Sequence, residues 1–187
     1  MDKDLKAAVQ TLGQGGLILY PTDTIWGIGC DATNQDAVAR IYSVKKREDK
    51  KSLLILLDEA EKLPCYVADV PETAWKLIEV TDKPLTIIYP GAQNLAPNLI
   101  AEDGSVGIRI VKDDFCRQMI RMFGKPVVST SANITGMPWP PNFGKIDKAI
   151  IRAMDYVVEH RQKDKTRGKP SGIIKLGAGS VISVIRE

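Results

Sequence analysis

The side chains in this sequence that could do chemistry fall into two sets. Thr22, Thr24, Ser129, Ser131, Asn133 and Ser171 offer hydroxyl and amide groups, while Lys45, Arg47, Lys51 and Arg109 offer ammonium or guanidinium groups. Nothing resembles a Ser-His-Asp triad. His160, the only histidine, stands beside a basic loop, where a surface position is expected rather than a general base or a metal ligand. Cations and neutral donors without a nucleophile or a metal cluster suit an anionic guest, phosphate or carboxylate, and catalysis by positioning and charge stabilisation. Neither a Gly-x-x-x-x-Gly-Lys-Ser/Thr loop nor a Gly-x-Gly-x-x-Gly fingerprint occurs, which sets aside the ordinary P-loop and dinucleotide-binding readings.

These groups need elements to hold them. In residues 15–31, GGLILYPTDTIWGIGCD, the apolar run 17–20 reads as a buried strand. Pro21 cannot donate to a ladder, so the strand should stop there and leave Thr22, Asp23 and Thr24 at its carboxyl end, where open α/β sheets place ligands. The glycine-spaced loop 26–29 then lets backbone or ligand approach closely. Upstream, a helix over 2–12 sets Leu5, Val9 and Leu12 on one face and is closed by Gly13. Downstream, Asn34 caps a helix reaching Lys46, which delivers Lys45 and Arg47 at its end. The run 53–57, LLILL, suits a strand covered on both faces.

A helix over 71–80, a strand over 85–89, a strand over 105–111 that carries Arg109, and a helix over 113–123 closed by Gly124 come next. The strand 127–130 opens into a second polar loop, SANITGMPWPPNFG, again at a carboxyl end. A helix over 147–154, a strand YVVE, the basic loop HRQKDKTRGKPSG, and two strands, IIKL and VISVIRE, complete the chain. Helices interleaved with strands, then a late hairpin, predict an α/β fold with a mixed sheet.

The chain has 187 residues, 44% of them hydrophobic, which predicts one domain with a real core. The net charge of +3 does not by itself announce a nucleic-acid binder, and the basic clusters at 45–51 and 161–169 read as solvated loops when taken alone. Cys30, Cys65 and Cys116 are odd in number and show no CxxC spacing, so neither a zinc site nor a disulfide framework is expected. No apolar signal core or membrane-length run is present, which predicts a cytoplasmic protein without a membrane partner.

At this point the residues resemble the YrdC-like family of threonylcarbamoyl-AMP synthases, which act in making threonylcarbamoyladenosine in tRNA. The resemblance runs from about Gly16 to Ser171. It rests on YPTDTIWGIGCDA, the Lys-x-Arg of Lys45-Lys46-Arg47 with Lys51-Ser52-Leu53, PLT at 84–86, VGIRI at 106–110, STSANITG at 129–136, and Lys169-Pro170-Ser171. It implies a single YrdC-like domain over 1–187: a twisted, mixed parallel/antiparallel sheet flanked by helices, with a concave, positively charged cleft. It also implies a nucleotidyltransferase that joins L-threonine, bicarbonate or carbon dioxide, and ATP, with magnesium carried by the nucleotide.

By the same resemblance, Thr24, Arg109, Ser129 and Ser171 take threonine, and Arg47, Lys51, Ser105, Ser131 and Asn133 take ATP. Lys45, Arg47, Ser131 and Asn133 form the family's catalytic Lys-x-Arg and Ser-x-Asn tetrad. No metal ligand is expected from the protein. Downstream threonylcarbamoyl-transfer proteins are implied partners, and tRNA or double-stranded RNA is a partner that a basic face could hold. Two departures stand out: Leu56 occupies a position where some members have a histidine against threonine, and Asp82-Lys83-Pro84 replaces a Pro-Gly-Pro turn. The chain matches the short form without a second domain, and HRQKDKTRGKPSG is expected to serve as a mobile cover instead. The competing readings are a double-stranded RNA or tRNA-binding module without catalysis, and a paralogue acting on another acid.

Overall fold

The computed structural model describes residues 1–46, 53–177 and 181–187. In chain order the strands are β1 (Ile18–Tyr20), β2 (Gly27–Gly29), β3 (Leu54–Leu57), β4 (Leu85–Tyr89), β5 (Val106–Ile110), β6 (Val127–Ser131), β7 (Tyr156–Val157), β8 (Gly172–Leu176) and β9 (Ile182–Arg186). The helices are α1 (Asp2–Gly13), α2 (Gln35–Val44), α3 (Leu63–Tyr66), α4 (Glu72–Val80), α5 (Asp114–Phe123) and α6 (Lys148–Arg152). The strands join one sheet in the order β7-β1-β2-β6-β3-β5-β4-β8-β9. Pairs β1/β7, β3/β5 and β4/β8 are parallel and the rest antiparallel, so the sheet is mixed as expected.

Alternation along the strands sends side chains into two cores. Leu17, Leu19, Ile28, Ile55, Leu57, Ile87 and Ile108 pack on one face with Ala37, Val38 and Ile41 of α2. Ile18, Tyr20, Leu56 and Val127 pack on the other with Leu5, Ala8 and Leu12 of α1 and Phe115, Cys116, Met119 and Ile120 of α5. Local signals start and stop the helices as the sequence predicts. Asn34 accepts from the Ala37 amide at 3.0 Å to cap α2, Asp113 accepts from the Cys116 amide at 3.0 Å to cap α5, and Gly124 closes α5 at a φ of 76°.

Three local readings need correction. Residues 27–29 are a strand between β1 and β6, not a loop; a Cβ on Gly29 would lie 2.7 Å from Tyr20 Cε1 and 2.8 Å from the Val128 carbonyl oxygen, so the glycines permit close strand packing. No element is expected between 57 and 71, where the short helix α3 carries Pro64 in its first turn, a position that tolerates proline. His160 is half-buried, its ring stacked 5.5 Å from that of Phe115, rather than free on the surface.

Candidate functional site

The sheet register assembles the site. On the face that α1 and α5 cover in part, Gly27 lies opposite Ser131, Leu54 opposite both Ser129 and Gly107, Ile88 opposite Gly107, Thr86 opposite Ile173, and Ile173 opposite Arg186. Since residues two apart in a strand share a face, Arg109 joins Gly107 on that side and lies opposite Leu56. Small or hydroxylated residues at the centre of this face leave a cavity of roughly 190 Å³ lined by Thr24, Thr86, Arg109, Ser129, Ser131, Ser171 and Arg186, with Leu53, Leu54, Ile88, Ile173 and Trp139 as its apolar part.

Arg109 is 3% exposed. Its Nη2 lies 3.0 Å from Asp23 Oδ1, within ion-pair range. The contact is not an aligned hydrogen bond, and among the described residues neither carboxylate oxygen of Asp23 nor Nε or Nη2 of Arg109 has a hydrogen-bond partner. Nε and Nη2 form one edge of the guanidinium fork, the edge that grips a carboxylate with two parallel bonds. Burial raises the Asp23 carboxyl above its ordinary value, with Arg109 opposing the shift and Asp113 adding to it.

Hydroxyl pairs surround this arginine. Thr22 Oγ1 and Thr24 Oγ1 are 2.9 Å apart, Thr22 Oγ1 donates to the Ile25 carbonyl at 2.7 Å, and it accepts from the Thr24 amide at 3.1 Å. Thr86 Oγ1 lies 2.8 Å from Ser171 Oγ. Arg186 Nε donates to the Ser171 carbonyl at 2.9 Å, and burial followed by the charge of Arg109 pushes the Arg186 guanidinium below its usual value. Two guanidinium groups that disfavour one another in a small cavity favour an anion between them.

The structure therefore brings Thr24, Arg109, Ser129, Ser131 and Ser171 together. Lys45 and Asn133 do not line the cavity. The buried Lys45 ammonium donates to the Ser131 carbonyl at 2.6 Å and the Asn133 carbonyl at 2.7 Å, so it shapes the polar loop after β6. Asn133 Nδ2 donates onward to the Met137 carbonyl. Ser105 is also outside the lining, with its hydroxyl donating to Asp103 at 2.5 Å. Leu56 packs in the core beneath α5. Arg47 and Lys51 lie outside the described residues.

Asp23, Thr86, Arg186 and Trp139 are the site residues that residue types alone did not single out. Thr86 carries a faint signal, a polar residue at an alternating position of a strand otherwise apolar. Arg186 carries none, since a lone cation near the end of VISVIRE reads as a solvated edge.

A mixed α/β sheet whose central face holds a buried guanidinium, ion-paired with Asp23 and set in a cavity lined by hydroxyls, offers a candidate site for a small carboxylate or phosphate. The profile of the Sua5/YciO/YrdC family, described as telomere recombination, matches residues 10–187, and the chain belongs to that family. A threonylcarbamoyl-AMP synthase of Pseudoalteromonas translucida is 34% identical over 158 residues, spanning 83% of this chain and 84% of the relative. The crystal structure of Escherichia coli YciO covers 100% of this chain and 90% of its own, with a TM-score of 0.87 at 22% identity. Pyrococcus abyssi Sua5 complexed with L-threonine superposes with a TM-score of 0.83 at 23% identity over 95% of this chain, which spans 52% of that longer protein. The two structures establish the YrdC-type fold.

Proposed function

We propose that the chain is an L-threonylcarbamoyladenylate synthase, a nucleotidyltransferase that condenses L-threonine, bicarbonate or carbon dioxide, and ATP. The observation that carries this reading is the Nε and Nη2 edge of Arg109, buried and, beyond the Asp23 ion pair, without an aligned hydrogen bond among the described residues, in a cavity that Thr24, Ser129 and Ser171 also line. A threonine carboxylate would take that edge in fork geometry. The hydroxyls would pair with the threonine side chain and discriminate against valine, which would leave them unpaired.

Carbon dioxide adds to the threonine amine to give a carbamate and a proton; starting from bicarbonate, one water is lost. A carbamate oxygen then bonds to the α-phosphorus of ATP, the bond to the bridging oxygen breaks, and pyrophosphate leaves. Arg186 and Ser131, which line the same cavity, would receive the nucleotide phosphates, with Lys45 bonded to the Ser131 and Asn133 carbonyls in the loop that follows. Arg47, Lys51 and Ser105 are assigned to ATP on the family pattern alone. Among the described residues no group of three or more His, Cys, Asp or Glu side chains could hold a metal. Magnesium would arrive on the ATP phosphates with its own waters.

The product is a mixed anhydride that must be passed on, so transfer proteins acting on tRNA are the proposed downstream partners, in the cytoplasm. Among the described residues no helix is long and apolar enough to cross a membrane. The test is pyrophosphate release from magnesium-ATP and bicarbonate with L-threonine, L-valine or L-serine and no tRNA. Release that requires threonine and bicarbonate is expected. No release, with salt-sensitive RNA binding in its place, would overturn the reading in favour of a phosphate-binding module.

A further inference from the structure

The turn that presents Thr24 and Asp23 is clamped from outside the cavity. It separates the cavity from a second one of roughly 660 Å³, lined among others by Asp23, Lys83, Arg161, Arg167 and Lys169. Across that second space the basic segment 160–170 touches the turn twice. Arg161 Nη2 donates to the Thr22 carbonyl at 2.9 Å, while its Nη1 donates to Asp113 Oδ2 at 2.5 Å. Seven residues on, the backbone of Gly168 is pressed so close that a Cβ there would lie 2.1 Å from the Thr24 carbonyl oxygen. The segment thus meets the turn at both places, by a hydrogen bond at Arg161 and by close backbone approach at Gly168.

Arg161 adopts a φ of 65°, left-handed backbone that non-glycine residues occupy at a cost unless their contacts hold them. Its anchor is rigid, because the other carboxylate oxygen of Asp113 caps α5. Besides the bonds among Thr22, Thr24 and Ile25, the turn is held from outside by the Asp23–Arg109 ion pair and, at its start, by the Cys116 thiol on the Pro21 carbonyl, and neither of these reaches the Thr22 carbonyl that Arg161 grips.

We infer that Arg161 is a positioning residue for the carboxylate side of the site: by joining the start of α5 to the Thr22 carbonyl, it fixes the turn that places Thr24 at the cavity and Asp23 against Arg109. The inference rests on the threonine reading of the site. A displaced turn would misplace threonine without touching the nucleotide's groups on β6 and β9.

In Arg161→Gln the threonine KM should rise about tenfold while the ATP KM stays within about twofold. Amide hydrogen exchange over residues 22–26 should quicken. Arg161→Lys keeps the charge beside Asp113 but lacks the two-armed fork, so an intermediate threonine KM is expected. Asp113→Asn retains a capping oxygen for α5 and should reproduce the threonine defect in a folded protein, which keeps the test open if the Arg161 variants fold poorly. An unchanged threonine KM, or an ATP KM rising in parallel, overturns the assignment. If the wild-type chain releases no pyrophosphate with threonine, the function fails instead, and exchange over 22–26 then decides the role of Arg161 alone: unchanged protection overturns it.

Discussion

Arg109 shows how one residue's surroundings fix its use. A guanidinium that is 3% exposed, ion-paired with Asp23 but with no aligned hydrogen bond to Nε or Nη2 among the described residues, is strongly receptive to a planar anion. Lysine would keep the charge but offer only a compact ammonium, without the parallel pair of bonds. Arg109→Lys should therefore raise the threonine KM by about tenfold or more, with a smaller effect on the ATP KM, and titration calorimetry with each ligand would separate the two. A parallel loss of both affinities would place the residue elsewhere in the mechanism. Arg109 was legible in the sequence as an arginine inside an alternating strand, and Thr24, Ser129 and Ser171 as hydroxyls at strand ends. Asp23 was legible by its place at the first strand's end but not as the partner of Arg109, and Thr86 and Arg186 were not legible in the same way. Each acquires its role from a partner far along the chain, Arg109 or Ser171, and that pairing exists only once the register is set.

Among the elements, periodicity revealed those that are long and amphipathic and lost those that are short. α5 announces itself through the Asp113 cap, the apolar stripe of Phe115, Met119 and Ile120, and the Gly124 stop. β2 does not, because Gly27, Ile28 and Gly29 look like a loop until the close approach of Tyr20 and Val128 is known. The seam joining α1 to the chain beyond β7 was equally hidden. There the 5%-exposed Asp4 accepts from Tyr156 OH at 2.7 Å, the Glu159 amide at 2.8 Å and the His160 amide at 3.0 Å. Burial alone would raise the Asp4 carboxyl, but these hydrogen bonds outweigh it and hold the group below its ordinary value. A depressed carboxylate contributes stability that is present above its unfolded value and lost as pH falls through the folded one. Asp4→Asn should therefore cost about 1–2 kcal/mol near neutrality, and the deficit should shrink in acid below the ordinary carboxylate range. Urea midpoints for both proteins at neutral and acid pH would check this; a deficit that does not change with pH would mean that packing, not charge, holds the seam.

Across the whole molecule, the two cores are unequal in purpose. The face under α2 carries the larger apolar cluster, whereas the face under α1 and α5 is apolar at one end and becomes the cavity at the other. Composition could predict a core of this size but not its division, since that follows from which strands the helices leave uncovered. The three free cysteines sample this division. Cys65 is exposed, Cys30 is buried in the core under α2, and Cys116 is on the buried face of α5 with its Sγ 3.3 Å from the Pro21 carbonyl, next to the Thr22–Thr24 turn. Burial pushes both interior thiols well up, and the thiolate is the reactive form. A thiol reagent at neutral pH should therefore modify Cys65 promptly in the folded protein and reach Cys30 and Cys116 only after denaturation or through slow opening. Because Cys116 backs onto the turn, its slow labelling rate measures how often that turn lifts from α5. Saturating L-threonine should slow this rate and leave that of Cys65 unchanged, as mass spectrometry of the labelled peptides would show. If Cys116 reacts as fast as Cys65, α5 does not seal the back of the turn, and the route by which Arg161 would steady the site loses its rigid end.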